Sequence, residues 1–486
     1  MGIEKIFQPG AKIHFTGIKG TGVCALAELF HKTGIQVSGS DTTEVFYTDA
    51  ILKELNIPCY EGFDPAHIDT NIDAVIHSAA YDPVTNPELK KAQEFNIPVI
   101  KYSDALGAWS ARFDSSGICG VHGKTTTTAM CGVLIRAAGL PAQILTGSAA
   151  LDFGGRSTLN LGDKYFIAET CEYRRHFLSF HPKRIILTSV ESDHQDYFPD
   201  YASIRDAFVE YCRLLPKDGQ LIYCADDPGV SEVTHIIEKE NRGIKFIPYG
   251  FTASGDYKIN SYNVQNERGI FTLAGFAEEF KLKLPGRHQA LNAAAAIALT
   301  MLLVKKELTE VNSEIIQSVK NALENFKSTK RRSEIIGEAA SPDGADNIMF
   351  MDDYGHHPAA IKTTLTGIKS FYPKRRLIVS FMPHTYTRTS ALFDDFVSSF
   401  DDADILFLHK IYASARENYT GGIDGKKLFE KAAALRTKAT YYAHEPDDAF
   451  QPLCEILKPG DIFITFGAGN NWPLGKKLLS HFGEKS

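Results

Sequence analysis

Apolar residues along this chain fall in short runs, each ending in a glycine-rich or polar turn and followed by a stretch with helical spacing. Lys12-Ile13-His14-Phe15-Thr16 reads as a strand and Gly17-Ile18-Lys19-Gly20-Thr21-Gly22 as its turn. A helix over Val23 to Thr33 and a second strand over Gln36 to Gly39, ending at Ser40-Asp41, follow. A further strand, Ala74 to His77, runs into Ser78-Ala79-Ala80. The pattern restarts with a strand at Ser115 to Cys119, the turn Gly120-Val121-His122-Gly123 and a helix reaching about Ala138. Strands at Tyr165 to Ala168 and Arg184 to Val190 come next, then a buried helix over Gln289 to Val304. A third restart near Arg331 leads to strands at Ile348 to Met351, Leu377 to Phe381, Ile405 to His409 and Ile462 to Phe466. Short strands alternating with helices predict parallel sheets with crossover connections. The expected fold class is α/β in three domains, 1–114, 115–326 and 327–486.

Composition narrows the functional classes. A chain of 486 residues is too long for one ordinary core. Its 44% apolar and 23% charged residues are the balance of a globular protein in water. The formal net charge of -7 gives no long-range attraction to nucleic acid or anionic lipid, so no such partner is expected. A phosphate-bearing ligand must then be held by local cations and backbone amides. Met1 to Gly10 show no apolar core of signal-peptide length, and the longest apolar run, Ala290 to Val304, is too short to span a bilayer. Eight dispersed cysteines without a C-x-x-C pair predict reduced, mostly buried thiols, and the expected compartment is the cytoplasm.

The segment Gly120-Val121-His122-Gly123-Lys124-Thr125-Thr126 sits where a phosphate loop belongs, between a strand and a helix. Backbone amides there point at anionic oxygens, Lys124 can neutralise β- and γ-phosphates, and Thr125 can offer its hydroxyl to Mg²⁺. Ile118 occupies the place of the usual first glycine, so the loop is a shortened variant. As a loop residue, Lys124 is expected to add little to packing. Metal binding calls for hard oxygen ligands: Glu169 follows the Tyr165 strand, Glu172 comes soon after, and His194 lies beyond the Arg184 strand. Strand C-termini of a parallel sheet share one edge, where Lys124, Glu169 and His194 are expected to meet. The first glycine turn departs from G-x-G-x-x-G, yet Asp41 ends the second strand where an acidic group can meet a ribose hydroxyl. Two clusters mark the last domain, Asp352-Asp353-Tyr354-Gly355-His356-His357-Pro358 and Met382-Pro383-His384-Thr385-Tyr386-Thr387-Arg388-Thr389. The paired histidines lack the further spacing of a zinc site. Arg388 suits a carboxylate or phosphate, since its planar fork bonds two oxygens at once.

Together these motifs resemble the Mur ligases of bacterial peptidoglycan synthesis, over nearly the whole chain. The resemblance rests on Gly17 to Gly22 with Ser38-Gly39-Ser40-Asp41, on Gly120 to Thr128, and on Ser192-Asp193-His194. It continues through Gly286 to Asn292, Asp352 to Pro358, Pro383 to Thr389 and Gly467-Ala468-Gly469-Asn470. It implies a Rossmann-like N-terminal domain for a UDP-linked substrate, a central P-loop ATPase-type domain with a parallel sheet, and a Rossmann-like C-terminal domain receiving an amino acid. Substrate contacts are then expected from Gly17, Gly20, Thr21, Gly22, Asp41, Ser78 and Ala79, and ATP contacts from Gly120, His122, Gly123, Lys124, Thr125, Thr126, Asn292 and Arg332. Lys124, Glu169 and His194 form the expected catalytic group, with Thr125, Glu169 and His194 around Mg²⁺. Asp353, Tyr354, His356, His384 and Arg388 are expected to line the amino-acid cleft. The run from Glu169 to His176 is more basic than the familiar acidic form, which leaves Glu169 and Glu172 as alternative metal ligands. Thr385 stands where many relatives carry arginine.

Within the family, the last-domain motifs point to the branch that joins L-alanine to UDP-N-acetylmuramate, as a monomer or weak homodimer. Such a reaction activates the carboxylate as an acyl phosphate, formed with the γ-phosphoryl group of ATP and attacked by the amine. Excluding water from that intermediate implies hinge motion between domains. The alternatives are a ligase attaching a recycled murein tripeptide, an NAD(P)-dependent dehydrogenase using the first glycine turn, and a non-catalytic nucleotide-binding partner. The last-domain motifs disfavour the first, Lys124-Thr125 the second, and the joint presence of Lys124, Glu169 and His194 the third.

Overall fold

The computed structural model describes residues 3–195, 197–308, 312–339, 347–413 and 421–483. Its first sheet has five parallel strands, β1 (Lys12–Thr16), β2 (Gln36–Asp41), β3 (Cys59–Glu61), β4 (Ala74–His77) and β5 (Val99–Lys101), in the order β3-β2-β1-β4-β5. The order reverses between β1 and β4, and turns beside such a reversal border the crevice where doubly wound sheets take ligands.

The second sheet comprises β6 (Asp114–Cys119), β7 (Ala142–Ala150), β8 (Arg156–Asn160), β9 (Tyr165–Glu169), β10 (Arg184–Leu187), β11 (Gln220–Cys224) and β12 (Lys245–Tyr249). They are ordered β12-β11-β10-β6-β9-β7-β8, and β8 pairs antiparallel to its neighbour. β6 lies between β9 and β10, with Ile118 level with Glu169 and Cys119 level with Leu187. The loop after β6 is thus flanked by the ends of both strands. β2 and β9 each run through the acidic residue expected just beyond them, and β10 stops short of the expected Val190.

A small sheet of β13 (Ile259–Val264), β14 (Gly269–Leu273) and β15 (Glu279–Leu282), absent from the sequence reading, follows. The last sheet holds β16 (Glu334–Ala339), β17 (Ile348–Asp353), β18 (Leu377–Phe381), β19 (Ile405–Leu408), β20 (Ala439–Tyr442) and β21 (Ile462–Phe466), ordered β16-β17-β21-β18-β19-β20. Met349, Met351, Val379 and Ile464 join one apolar cluster, while Ile348, Phe350, Ile378 and Phe463 join another. Both faces are therefore covered, which is why these strands read as near-continuous apolar runs.

By packing, the chain forms two compact units. One comprises Met1–Glu191, Tyr201–Ile259 and Asn292–Leu323; the other comprises Ser192–Asp200, Asn260–Leu291 and Glu324–Ser486. The first unit holds the first two sheets, locked through helix Thr21–Lys32. Buried Glu28 of that helix meets Arg156 at 2.7 Å, Phe30 packs on Trp109 at 4.7 Å between centroids, and Trp109 Nε1 donates to Gln143 at 3.0 Å. Sequence order and packing divide the chain differently, since residues 192–200 and 260–291 of the expected central domain pack with the last sheet. Helix Arg287–Glu307 is long and apolar enough to cross a membrane, but 78% of its apolar window is buried in the protein. It is a core helix, extending beyond the expected Gln289 to Val304 at both ends.

Candidate active site

Helix Lys124–Ala137 follows β6, with Gly123 as its N-cap in the left-handed region at φ 83°. Gly120, at φ 132°, also needs its missing side chain: a Cβ there would lie 2.1 Å from Thr188 Oγ1. A Cβ on Gly123 would meet Asn292 Oδ1 at 2.7 Å, so Asn292 stands against the loop. Ser189 props the loop from beyond β10. Its Oγ accepts from the His122 N–H at 2.8 Å and its carbonyl from the Val121 N–H at 3.1 Å. The first helical turn, beginning at Lys124, keeps N–H groups without intrahelical acceptors, a set of donors suited to an anion. Thr125 and Thr126 are buried there.

Lys124 is not the lone loop cation expected from the sequence. Its side chain is 13% exposed, and Nζ lies 2.9 Å and 3.1 Å from the two carboxylate oxygens of Glu172, itself 1% exposed. Burial works against the ammonium, but the charge and hydrogen bond of Glu172, with the neighbouring Cys171 and Glu169, together more than offset it and hold Lys124 above its ordinary pKa. The carboxylate stands on the lysine as a pair of phosphate oxygens would, so the loop fits an anionic ligand. Glu169 is placed otherwise. Its Oε2 accepts from the Gly147 N–H at 2.7 Å, and it borders a cavity of about 150 Å³ lined also by Gly22, Tyr102, Thr146, Cys171 and His176. This cavity connects the first glycine turn with the edge of the second sheet. Thr125 and Glu169 supply the hard oxygens that Mg²⁺ prefers.

In the first glycine turn, a Cβ on Gly17 (φ 85°) would lie 2.5 Å from the Tyr81 ring, and one on Gly22 would lie 2.8 Å from Tyr102 Oη. Gly20 caps the helix that starts at Thr21. Asp41, expected to meet a ribose hydroxyl, ties the turn together. Its Oδ2 accepts from the Lys19 N–H at 2.7 Å, and its Oδ1 from the Thr42 N–H at 2.8 Å and Tyr81 Oη at 3.1 Å. The turn's backbone donor needs an acceptor once buried, and Asp41, 4% exposed, provides it. Ser78 and Ala79 lie in the turn after β4, Ser78 Cβ only 3.0 Å from a Cβ built on Gly17.

The second unit gathers the remaining motifs. Asp353 ends β17 and accepts from the N–H groups of Ser333 at 2.6 Å and Gly355 at 2.7 Å, with burial pushing its carboxyl pKa up. The Arg332 guanidinium lies over the Tyr354 ring, 5.1 Å from its centroid. His356 Nδ1 is 3.0 Å from the Tyr354 carbonyl, and its ring is 6.0 Å from that of His384. Burial, and then the charge of Arg388, hold His356 well below its ordinary pKa, so it is a neutral imidazole. Arg388 does not present the open fork expected of it. Its Nε and Nη2 donate to Asp193 Oδ1 at 3.0 Å and 2.7 Å, because a guanidinium this buried requires a counter-charge. His194, next along the chain, belongs to this unit, whereas Lys124 and Glu169 belong to the first. Sequence reasoning passed over Asp193, although it sits inside the Ser192-Asp193-His194 motif, and over Tyr102 and His176, which carry no local signal.

Three family models match the chain in succession: Mur ligase family, catalytic domain, over residues 12–114; Mur ligase middle domain, over 118–300; and Mur ligase, glutamate ligase domain, over 331–469. The chain belongs to the Mur ligase family. This Mur ligase is 48% identical over 476 residues, 98% of each chain, to the UDP-N-acetylmuramate--L-alanine ligase of Treponema pallidum (strain Nichols). It is 39% identical, over 95% of its own length and 97% of the relative's, to the protein of the same name from Borreliella afzelii (strain PKo). Its fold is similar to that of the UDP-N-acetylmuramate-alanine ligase MurC of Thermotoga maritima, with a TM-score of 0.77 and 23% identity over 98% of this chain and 100% of that one. The three-domain α/β architecture expected from the sequence is that of the Mur ligases.

Proposed function

We propose that this Mur ligase joins L-alanine to the carboxylate of UDP-N-acetylmuramate in an ATP-driven, amide-forming reaction. The observation that carries the reading is the cavity of the first unit, bordered by Gly22 on one side and Glu169 on the other, in a unit whose phosphate-loop lysine already grips a carboxylate. Two nucleotide-type loops suit one nucleotide that carries the acid and a second that donates a phosphoryl group. A dehydrogenase has use for the first loop alone. The relatives named as L-alanine ligases match along the full chain, which supports alanine as the amine.

In this reading residues 1–114 bind the sugar nucleotide, 115–326 bind ATP and 327–486 receive alanine. Lys124 offsets charge on the transferring phosphoryl group while the first-turn N–H groups hold the neighbouring phosphate. Thr125 and Glu169 would hold Mg²⁺, which would neutralise phosphate charge. Asn292 contacts ATP beside the phosphate loop, and Arg388 supplies the cation for the alanine carboxylate. Neutral His356 can accept a hydrogen bond without adding charge beside Arg388.

Phosphate release with UDP-N-acetylmuramate, ATP and Mg²⁺, measured against alanine, serine, glycine and the murein tripeptide, tests the assignment. Alanine is expected to turn over fastest. A preference for the tripeptide at equal concentration would transfer the chain to the recycling branch.

A further inference from the structure

One carboxylate oxygen in the second unit gathers three N–H donors. Asp193 Oδ1 accepts from Arg388 Nε at 3.0 Å, from Arg388 Nη2 at 2.7 Å and from the backbone N–H of His194 at 2.7 Å. The third guanidinium nitrogen, Nη1, donates to the His384 carbonyl at 2.9 Å and lies 3.3 Å from His384 Nδ1. Little water reaches the pair, whose side chains are 7% and 6% exposed. His194 itself adopts φ 55°, uncommon for a residue with a Cβ, and its carbonyl accepts from the N–H groups of Tyr197 and Phe198 at 2.8 Å each. Asp193 therefore bears on two groups at once, the Arg388 side chain and the His194 backbone.

We infer that Asp193 is a positioning residue for the ligation, fixing which edge of Arg388 an incoming amino-acid carboxylate can meet. This rests on the reading of Arg388 as the alanine cation given above. A guanidinium can offer a carboxylate either its Nε–Nη2 edge or its Nη1–Nη2 end. Asp193 occupies the edge and His384 engages Nη1, so a ligand meets the second Nη2 proton, at the end. One approach direction for the carboxylate means one direction for the amine attached beside it, and ligation depends on where that amine points. Without Asp193 both approaches open, the long side chain can swing, and alanine binds with its amine out of line. A carboxylate that merely neutralised a buried arginine would affect stability and leave no mark on alanine kinetics.

Steady-state ligation by the full chain tests this. Asp193→Glu keeps the charge but moves the carboxylate by one methylene, and is expected to lower kcat/KM for alanine by about tenfold or more, with the KM for ATP moving less than about twofold. Asp193→Asn is expected to lose more. In a cycle with Arg388→Lys, the double variant is expected to be no worse towards alanine than Arg388→Lys alone, because both act through one group. Wild-type alanine kinetics in Asp193→Glu, or losses that multiply in the double variant, overturn the inference. Should Asp193→Asn fail to fold, Asp193→Glu carries the test, since it retains the counter-charge. The two readings fail separately. Arg388→Lys altering only the ATP constant sinks the alanine role of Arg388, whereas a raised alanine KM in Arg388→Lys beside a silent Asp193→Glu sinks only the role of Asp193.

Discussion

Replacing Glu172 with glutamine removes one charge from a pair that is 2.9 Å apart and only 13% and 1% exposed. At an effective dielectric of 20, two charges at that separation attract by about 6 kcal/mol, much of which offsets the cost of taking both ions out of water. Removing one member leaves Lys124 buried without its counter-charge, a loss of about 3–5 kcal/mol, and a glutamine that still accepts a hydrogen bond sets the expectation near ~3 kcal/mol. The folded pKa of Lys124 is raised, so the pair's contribution is complete below the lysine's ordinary value and lost only as pH rises through the higher folded one. The deficit of Glu172→Gln is therefore constant as pH rises through neutrality and closes in strong alkali. Urea unfolding near neutral pH, with and without saturating ATP and Mg²⁺, measures it. Phosphate oxygens can take the place of the lost carboxylate, so nucleotide is expected to stabilise the variant more than the wild type. A variant as stable as wild type without nucleotide would refute the reasoning, and so would a deficit that nucleotide leaves unchanged.

Lys124→Ala is expected to reduce ligation by orders of magnitude and also to lower unfolding stability, since buried Glu172 loses its partner; unchanged thermal unfolding would remove the ion pair from the account. Glu169→Ala is expected to raise the magnesium concentration needed for half-maximal turnover or to abolish activity, and an unshifted magnesium titration would take Glu169 out of the metal site. Gly120→Ala forces a side chain onto φ 132° and against Thr188 Oγ1 at 2.1 Å, so a loss of nucleotide affinity with at least ~1–3 kcal/mol of strain is expected, read by nucleotide titration and unfolding. His409 is fully buried between Ser380 Oγ at 2.7 Å and the Ala443 carbonyl at 2.8 Å, and burial lowers its pKa from 6.5 to about 4. The unfolded chain takes up this proton first, so stability should fall by up to ~3 kcal/mol as pH drops from the ordinary histidine value towards the folded one. His409→Gln should flatten that part of the acid-stability curve, and parallel curves would count against it.

What the sequence disclosed followed the locality of each signal. The phosphate loop was legible because a sharp strand-to-helix turn admits only glycine at positions such as Gly120 and Gly123, and their spacing is fixed by backbone geometry. Glu169 was legible as a strand end, since the parallel order β10-β6-β9 brings such ends to one edge. Its rival Glu172 was not, because it leads into an irregular stretch where Arg174 and Arg175 both take positive φ, and no periodicity tells which carboxylate turns towards Lys124. The hydrogen bonds of Asp41 were not legible for a related reason: an acidic strand end suits a ribose and a backbone N–H equally well, and the fold is needed to bring the Lys19 N–H to it. The small sheet of β13, β14 and β15 escaped because its first strand, largely exposed, lacks the apolar run that announced the others.

The Asp193–Arg388 pair spans 195 residues of chain, and that interval has a duration as well as a length. At ribosomal speeds of about 5–20 residues per second, Asp193 emerges roughly 10–40 s before the arginine that neutralises it. Through that time its carboxylate is better off in water than in an apolar pocket. The segment 192–200, which packs with the C-terminal sheet, thus lacks this counter-charge until Arg388 has been made. A ribosome that stalls before Arg388 releases a polypeptide whose phosphate loop is complete but whose Asp193 has no guanidinium to meet.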